Sequence, residues 1–286
     1  MYALTGATGR LGRLVLDELL ARMEPQRIVA FARDPAQLLD AAERGVVVRA
    51  ADYDVPQSLL AGFRGIERLL FISASEVGRR ERQHRAVIDA ARTAGVRFIA
   101  YTSILHADRS PIKLAQEHRA TESAIQASGI PYALLRHGWY SENFTAWAPS
   151  EIARGTVIGS AGDGLFSSAA RADFAAAAAA VLTDETIRNQ TFELAGDDAF
   201  TLSQYASELS AASGKPVRYV DMPVPAYRDE LTRIGLPLEV ATMLAESNGK
   251  AAQGALFDQG RALSRLIGRP TTPMRDTIRE VVSGAA

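Results

Sequence analysis

Residues Thr5 to Leu14 read TGATGRLGRL and follow a short apolar segment, Tyr2 to Leu4. Apolar residues at helical spacing come next, so the pattern predicts a strand, a tight turn and a helix. In such a turn the first glycine, Gly6, allows a sharp change of direction. Gly9 leaves the backbone open to a phosphate, and Gly12 lets the helix pack closely. The N–H groups of the first helical turn then face an anion such as a pyrophosphate.

The glycine spacing is GxxGxxG, whereas the usual dinucleotide fingerprint is GxGxxG. The alternative interpretation is a glycine-rich turn of no special function between a strand and a helix. We favour the phosphate-binding interpretation because the strand comes before the motif and the helix after it. The residues predicted to contact a cofactor here are Gly6, Thr8, Gly9, Arg10, Leu11 and Gly12.

Composition narrows the classes of partner. The chain has 286 residues, 32 of them basic and 33 acidic, and its net charge is -1. With no long run of one charge, the sequence predicts neither nucleic-acid binding nor membrane insertion, and favours a small-molecule partner. The absence of cysteine excludes disulfides, thiolate metal sites and iron–sulfur clusters. The first strand leaves no room for a signal peptide, so we expect a cytoplasmic protein.

Strand-like and helix-like patterns alternate along most of the chain, which is typical of a parallel sheet with crossover helices. The sequence therefore predicts an α/β fold with a doubly wound, Rossmann-type sheet. The predicted strands are Tyr2–Leu4, Ile28–Phe31, Val46–Arg49, Leu69–Ile72, Phe98–Tyr101 and Tyr132–Leu135. The clearest helices are Glu81–Thr93 and Lys113–Ala127, each closed by a glycine.

The pattern changes near residue 195, where short helices separated by proline and glycine begin. We therefore predict a Rossmann domain at about 1–195 and a smaller, mostly helical C-terminal lobe at about 196–286 that covers the cleft, with the two lobes interleaved. The elements predicted in the lobe are Thr201–Ala212, Val217–Val220, Tyr227–Ile234, Leu238–Ala245, Arg261–Ile267 and Thr272–Val282.

Arg33 follows the second strand, at the position that distinguishes NADP from NAD. An acidic residue there would hold a ribose hydroxyl, whereas an arginine suits the 2′-phosphate of NADP. The sequence thus favours NADPH, with NADH binding more weakly. The alternative is an exposed arginine of no special role, beside Asp34 as a helix cap.

Polar residues follow the next two strands. Asp52 and Tyr53 are placed to border the adenine, and Ser73 and Ser75 are small enough to approach the cofactor. Since ligands bind beyond the carboxyl ends of parallel strands, cofactor contact is one interpretation. Ordinary turn chemistry is the other.

The helix after the fifth strand lacks the acid–base pair of many alcohol and ketone reductases. In those enzymes a lysine four residues after a tyrosine lowers the pKa of the phenol. Here the pair one turn apart is His118 and Glu122, and a carboxylate would raise the pKa of a neighbouring phenol. The sequence therefore predicts that this chemistry is missing.

The sixth strand ends in a segment suited to the wall of a pocket for a flat ligand. Its aromatic and polar residues lead us to assign cofactor contacts to Gly138, Trp139, Tyr140, Ser141 and Glu142, and catalytic roles to Tyr140 and Asn143. Alternatively, Trp139 and Phe144 pack between lobes.

Arg171 and Asp173 precede an alanine-rich helix. Arg171 is predicted to point toward the cofactor, with a surface position as the alternative. Asp173 fits the N-cap of the helix.

Several segments together resemble the NmrA-like group of atypical short-chain dehydrogenases, and within it the bacterial NAD(P)H:quinone oxidoreductases of type 2. They span nearly the whole chain: TGATGRLG (5–12), ARDP (32–35), ADY (51–53), SASEVGRRERQH (73–84), FIAYTSILHAD (98–108), RHGWYSENF (136–144), AGDG (161–164) and LIGRPTT (266–272). The segments SEVG and GWYSEN are far more specific than the glycine turn.

The resemblance implies an NADPH-dependent, two-electron reduction of a quinone without a Tyr/Lys pair. We expect this to need no flavin and no metal, and a homodimer is an open expectation. Two alternatives remain: a redox sensor that binds NADP without catalysis, and a reductase of another electron-poor aromatic such as a triphenylmethane dye. An epimerase or ketoreductase is disfavoured by the missing pair.

Overall fold

The computed structural model describes residues 1–76 and 78–284. Val77, which belongs to the SEVG segment, lies outside the described residues. The chain divides into two compact units. Unit 1 comprises Met1–Ala107, Gln116–His137 and Arg171–Phe192, and unit 2 comprises Asp108–Ala115, Gly138–Ala170 and Glu193–Ala286.

The strands and helices alternate through the first half of the chain. In chain order the strands are β1 (Tyr2–Leu4), β2 (Ile28–Ala32), β3 (Val47–Ala50), β4 (Arg68–Phe71), β5 (Phe98–Ile104), β6 (Tyr132–His137), β7 (Thr156–Gly159), β8 (Gln190–Leu194) and β9 (Arg218–Asp221). The α-helices are α1 (Arg10–Leu20), α2 (Leu39–Glu43), α3 (Pro56–Gly62), α4 (Arg80–Thr93), α5 (Ala115–Ala127), α6 (Glu142–Thr145), α7 (Ala148–Arg154), α8 (Arg171–Thr183), α9 (Leu202–Ser213), α10 (Val224–Arg233), α11 (Leu238–Ala251), α12 (Ala262–Ile267) and α13 (Met274–Val282).

A seven-stranded sheet has the order β3-β2-β1-β4-β5-β6-β8. Strands β1 to β6 pair in parallel wherever they are neighbours. Since the order 3-2-1-4-5-6 is that of the Rossmann fold, the predicted fold class is confirmed. The crossover places the carboxyl ends of β1 and β4 side by side, where a ligand is expected to bind.

The apolar faces of the helices form the core of unit 1. Helix α1 buries Leu11, Val15 and Leu19, which recur at helical spacing as predicted. Helix α1 packs against the alanine-rich helix α8, whose small side chains allow close approach. Strands β2, β4 and β5 are buried along their whole length, and their residues are mostly apolar.

Unit 2 contains a small sheet in which β7 and β9 pair in parallel. Helix α9 begins with a capping box, in which Thr201 and Gln204 satisfy each other's backbone N–H groups. Helix α7 ends at Gly155, whose φ of 71° is a left-handed conformation that glycine adopts without strain. These short elements enclose a cavity that is described below.

Two cap predictions had different outcomes. Asp34 accepts a hydrogen bond from Ala36 N at 3.0 Å and caps the 3-10 helix at Pro35–Leu38, as predicted. The Asp173 prediction is wrong, because α8 already begins at Arg171 and Asp173 lies fully buried in its first turn. An acidic residue in the first turn still stabilises the helix through the helix dipole.

Candidate functional site

The glycine turn of unit 1 has the geometry of a phosphate cradle. Gly6 has a φ of 63°, which permits the sharp turn out of β1. Gly9 is the N-cap of α1 and offers no side chain to the first helical N–H groups, which are therefore available to an anion. A Cβ on Gly12 would lie 2.1 Å from Gly6 O, so only glycine lets the helix approach the turn this closely.

A pocket of about 290 Å³ opens beside this turn, within unit 1. Its walls come from the ends of β1, β2, β3 and β4, as expected for a doubly wound sheet. The lining includes eight residues that the sequence predicts for cofactor binding: Gly6, Thr8, Gly9, Arg33, Asp52, Tyr53, Ser73 and Ser75. The structure thus brings most of the predicted cofactor residues of unit 1 to one pocket.

The ring of Tyr53 forms part of the pocket wall. The hydroxyl of Tyr53 is already hydrogen-bonded within the protein, so the ring is the part that can meet a ligand. The hydroxyl donates to Ile72 O at 2.9 Å and lies 2.5 Å from Thr5 Oγ1. Burial raises the pKa of Tyr53, so the phenol stays protonated. A neutral aromatic wall is suited to an adenosine group.

Arg33 lies beside the acidic side chain of Glu76 at the rim of the pocket. The Arg33 side chain is 75% exposed, and its Nη1 lies 3.8 Å from Glu76 Oε1. Glu76 also accepts a hydrogen bond from Arg79 at 2.7 Å, and the Gln83 amide lies 3.3 Å from it. Glu76 and Gln83 both line the pocket, although neither is among the residues predicted for the site. Glu76 belonged to the SEVG segment, which was a usable signal.

The backbone of Ala74, between Ser73 and Ser75, is held from two sides. Ala74 N donates to His84 Nε2 at 2.9 Å, and Ala74 O accepts from Arg80 Nε at 2.8 Å. Because Nε2 of His84 is an acceptor, the ring proton is on Nδ1, which lies 2.8 Å from Thr121 Oγ1. Burial, aided by the Arg80 charge, lowers the pKa of His84 to about 2. His84 therefore stays neutral and fixes the loop that lines the pocket.

The remaining cofactor predictions from the first helix and α8 do not line this pocket. Arg10 is exposed, and Leu11 is buried in the core of unit 1. Arg171 is half-buried at the start of α8. Their cofactor roles stay predictions.

The helix after β5 contains a buried polar network in place of a Tyr/Lys pair. Glu122 accepts two hydrogen bonds from Arg136, at 3.0 and 2.8 Å, and one from Ser103. The Tyr101 hydroxyl lies 2.8 Å from His118 Nδ1, and burial raises the pKa of Tyr101. The Glu122 carboxylate is thus paired with Arg136 inside the fold, and burial disfavours loss of the Tyr101 proton.

The segment from Gly138 to Asn143 lies in unit 2, where it leads into α6. Tyr140 is half-buried and forms a bridge with Ala169 through its backbone. Ser141 is fully buried, with its hydroxyl 3.2 Å from that of Ser168. Glu142 lies in the first turn of α6. The roles assigned to these residues stay predictions.

Unit 2 encloses a second, mostly apolar cavity of about 80 Å³. Trp139, Asn143 and Phe144 line one part of it, so two residues predicted for the site meet here. Strand β7 and the helices α7, α9, α10 and α11 with their flanking residues supply the rest, including Trp147, Glu151, Tyr205, Tyr227 and Asn248. Phe144 is surrounded by aromatic rings, with centroids 5.2 Å away for Phe166 and 5.4 Å for Phe200.

Glu151 is the one buried carboxyl group that lines this cavity among the described residues. It is 8% exposed, and its Oε2 lies 3.1 Å from the Tyr205 hydroxyl. Burial raises the pKa of Glu151 to about 7, although Tyr205 and Arg154 act in the opposite direction. Neither Glu151 nor Tyr205 could be predicted from the sequence, because they lie on separate helices and match no local motif.

Within residues 1–76 and 78–284, no group of three or more metal-ligating side chains has the geometry of a metal site. The same part of the chain has no helix that is both long and apolar enough to cross a membrane.

Strand order and glycine cradle together define a dinucleotide-binding protein of the Rossmann type. The chain belongs to the NAD(P)H-binding family, whose model matches residues 6–185.

Comparison with individual proteins gives full-length similarities. The chain is 49% identical to quinone oxidoreductase 2 of Escherichia coli, over 97% of both chains. It superposes with a TM-score of 0.97 on the crystal structure of the E. coli NADPH-dependent quinone oxidoreductase complexed with NADPH, covering 98% of this chain and 99% of that one. The Citrobacter triphenylmethane reductase complexed with NADP(H) gives a TM-score of 0.94 at 36% identity, with 98% and 99% coverage. The predicted family resemblance is confirmed.

Proposed function

We propose that this protein is an NADPH-dependent quinone oxidoreductase. The observation that carries the proposal is the pocket in unit 1, where the glycine turn, Tyr53 and Arg33 meet. The 49% identity over nearly the full length to a quinone oxidoreductase supports the acceptor class.

The residues of the pocket fit NADPH. Backbone N–H groups at the start of α1 are suited to the pyrophosphate, because they lack intrahelical partners. Arg33 presents a largely exposed guanidinium that can bind the 2′-phosphate. Tyr53 offers a neutral ring to the adenosine.

The protein's contribution to the reaction is position and environment. Bound NADPH supplies a hydride, and with one proton the quinone becomes a hydroquinone and the cofactor NADP⁺. Quinones are electron-poor, so holding the two reactants in register supplies much of the catalysis. The proton comes from water or from the Tyr140 hydroxyl, and no Tyr/Lys pair is needed.

Oxidation of NADPH by a simple benzoquinone tests the proposal, with the purified chain free of added flavin. We expect turnover that is unchanged by a chelator. Loss of activity on chelation would contradict the metal-free mechanism. Tight NADPH binding without turnover would favour the redox sensor instead.

A second candidate is reduction of a triphenylmethane dye, which the similarity to the Citrobacter enzyme favours. Parallel assays with a quinone and a dye separate the two. We further propose a cytoplasmic location and a homodimer, which fractionation and light scattering would test.

A further inference from the structure

The cavity of unit 2 has features that the proposed function does not use. Its walls are mainly aromatic and aliphatic, and one ionisable group, Glu151, lies buried among them. Trp139 and Trp147 both line the cavity, and the chain has only these two tryptophans. Their fluorescence therefore reports on the surroundings of this cavity.

Tyr205 has one hydroxyl proton but two acceptors. Its oxygen lies 3.1 Å from Phe144 O and also 3.1 Å from Glu151 Oε2. If Glu151 carries a proton, both contacts become hydrogen bonds: Glu151 donates to Tyr205, and Tyr205 donates to Phe144 O. If Tyr205 instead turns its proton to Oε2, the proton of Glu151 can reside on Oε1. The neutral acid is thus compatible with both orientations of the Tyr205 hydroxyl.

Glu151 Oε1 receives no hydrogen bond from residues 1–76 or 78–284, so it is free to meet a ligand. When Tyr205 donates to Phe144 O, the proton of Glu151 is on Oε2 and Oε1 is an acceptor, which suits a hydroquinone hydroxyl. When Tyr205 instead donates to Glu151 Oε2, the proton of Glu151 is on Oε1, which is then a donor and suits a quinone carbonyl. The same carboxyl group can therefore bind the oxidised and the reduced form of one ring.

The groups around Glu151 are few. Arg154 on α7, Tyr205 on α9 and Tyr227 on α10 are the ionisable side chains that face it. Helices α6 and α11 and strand β7 contribute asparagines and apolar groups to the cavity. Helix α13 packs against α7 without lining the cavity. Burial and the Glu151 charge keep the pKa of Tyr205 and Tyr227 high, so Glu151 is the group that titrates near neutral pH.

We propose that this cavity binds the ring of a small, uncharged quinone or hydroquinone, with the carboxyl group of Glu151 hydrogen-bonded to a ring oxygen. The proposal rests on the proposed function and specifies where the acceptor is recognised. A cavity of about 80 Å³ is smaller than the roughly 150 Å³ that holds benzene, so side chains must move on entry. Trp147, which is 39% exposed, is the lining residue with room to do so. The site therefore favours one ring over two fused rings.

The test measures quenching of tryptophan fluorescence by 2,6-dimethyl-1,4-benzoquinone and, under argon, by its hydroquinone. The titrations are run between pH 5.5 and 8.5 without NADPH. We expect saturable binding of both. Quinone affinity should fall roughly tenfold as Glu151 loses its proton, because the carboxylate cannot donate. Hydroquinone affinity should hold or rise, because the carboxylate accepts more strongly.

Three variants make the test specific. Glu151→Gln should bind both ligands with no change across this pH range. Glu151→Leu should bind both roughly tenfold more weakly at pH 6, with circular dichroism checking that it is folded. Glu208→Gln, which alters an exposed carboxyl group on α9, should behave like the wild type.

The outcomes separate this proposal from the proposed function. Equal pH profiles for the wild type and Glu151→Gln, or quenching that never saturates, would overturn the cavity assignment even if quinones oxidise NADPH. Saturable, Glu151-dependent binding together with absent turnover would support the binding site and contradict the oxidoreductase.

Discussion

The two units keep opposite kinds of ionisable group neutral in their interiors. Unit 1 buries His84, His118 and His137, whose pKa values burial lowers to about 2, about 3 and about 3. Unit 2 buries Glu151, whose pKa burial raises to about 7. Both units keep these particular groups neutral, but a buried base lowers stability in acid and a buried acid lowers it in alkali. We therefore expect pH to act on the two units in opposite directions.

The largest expected effect is acid destabilisation of unit 1. Free histidine has a pKa near 6.5, so below that pH the unfolded chain binds protons that the folded chain does not. The free energy of unfolding is therefore highest above about pH 6.5 and decreases as the pH falls. At pH 5 each buried histidine costs about 2 kcal/mol, or roughly 6 kcal/mol for the set. Urea unfolding followed by circular dichroism at pH 7.5 and pH 5 measures this loss.

His118→Gln sharpens that prediction, because glutamine preserves polarity without taking up a proton. The variant should lose about 2 kcal/mol less than the wild type on acidification. Hydrogen exchange in β5, which contacts His118 through Tyr101, should report the same change locally. If the free energy of unfolding depends on pH equally in the wild type and the variant, His118 does not contribute to the acid destabilisation.

The second effect concerns Glu151 and has the opposite sign. Its folded pKa of about 7 lies above the unfolded value near 4.5, so the folded state binds more protons between these values. Stability should fall by about 3 kcal/mol as the pH rises from 4.5 to 8. Tryptophan fluorescence during urea unfolding follows unit 2, and Glu151→Gln should lack this slope. A slope unchanged in Glu151→Gln but absent in Glu208→Gln would place the titrating group elsewhere.

The two sites also differ in how far the sequence could predict them. The cofactor pocket depends on a continuous motif and on residues that directly follow strands. Parallel strands place such residues at the same edge of the sheet. The sequence alone therefore predicts that Arg33, Tyr53 and Ser73 lie in one pocket. Gln83 was missed because it lies three residues into a helix, where nothing local marks it as a pocket residue.

The cavity of unit 2 could not be predicted in this way. Glu151 and Tyr205 are more than 50 residues apart and meet only through packing of short helices. No repeating pattern or motif in the sequence links Glu151 to Tyr205. A glutamate in a short helix is moreover expected on the exposed face, not in the interior. The Asp173 error had a local cause: arginine and alanine are good helix formers, so the helix extended past the expected cap.

The third prediction tests whether the pocket of unit 1 recognises charge, in contrast to the neutral cavity. A guanidinium at a 2′-phosphate forms charge-assisted hydrogen bonds worth about 1.5–3 kcal/mol. Arg33→Ala should therefore weaken NADPH binding roughly tenfold to a hundredfold and leave NADH nearly unchanged. Arg85→Ala, at an exposed arginine on α4, is the matched control. Parallel losses for both cofactors would assign Arg33 to the fold or to the shared adenosine.

The smallest expected effect is that of Tyr140→Phe on turnover. It distinguishes a Tyr140 that contacts the quinone from one that contacts the cofactor. Its backbone is held by the bridge to Ala169, and Tyr140→Phe removes only the hydroxyl. If the hydroxyl delivers the proton to the reduced quinone, kcat should fall roughly tenfold, because water replaces part of a general acid's contribution. The Kd for NADPH should stay within about twofold, and Tyr132→Phe in unit 1 should leave both constants unchanged. An equal loss of NADPH binding and turnover in Tyr140→Phe would instead make Tyr140 part of the cofactor site.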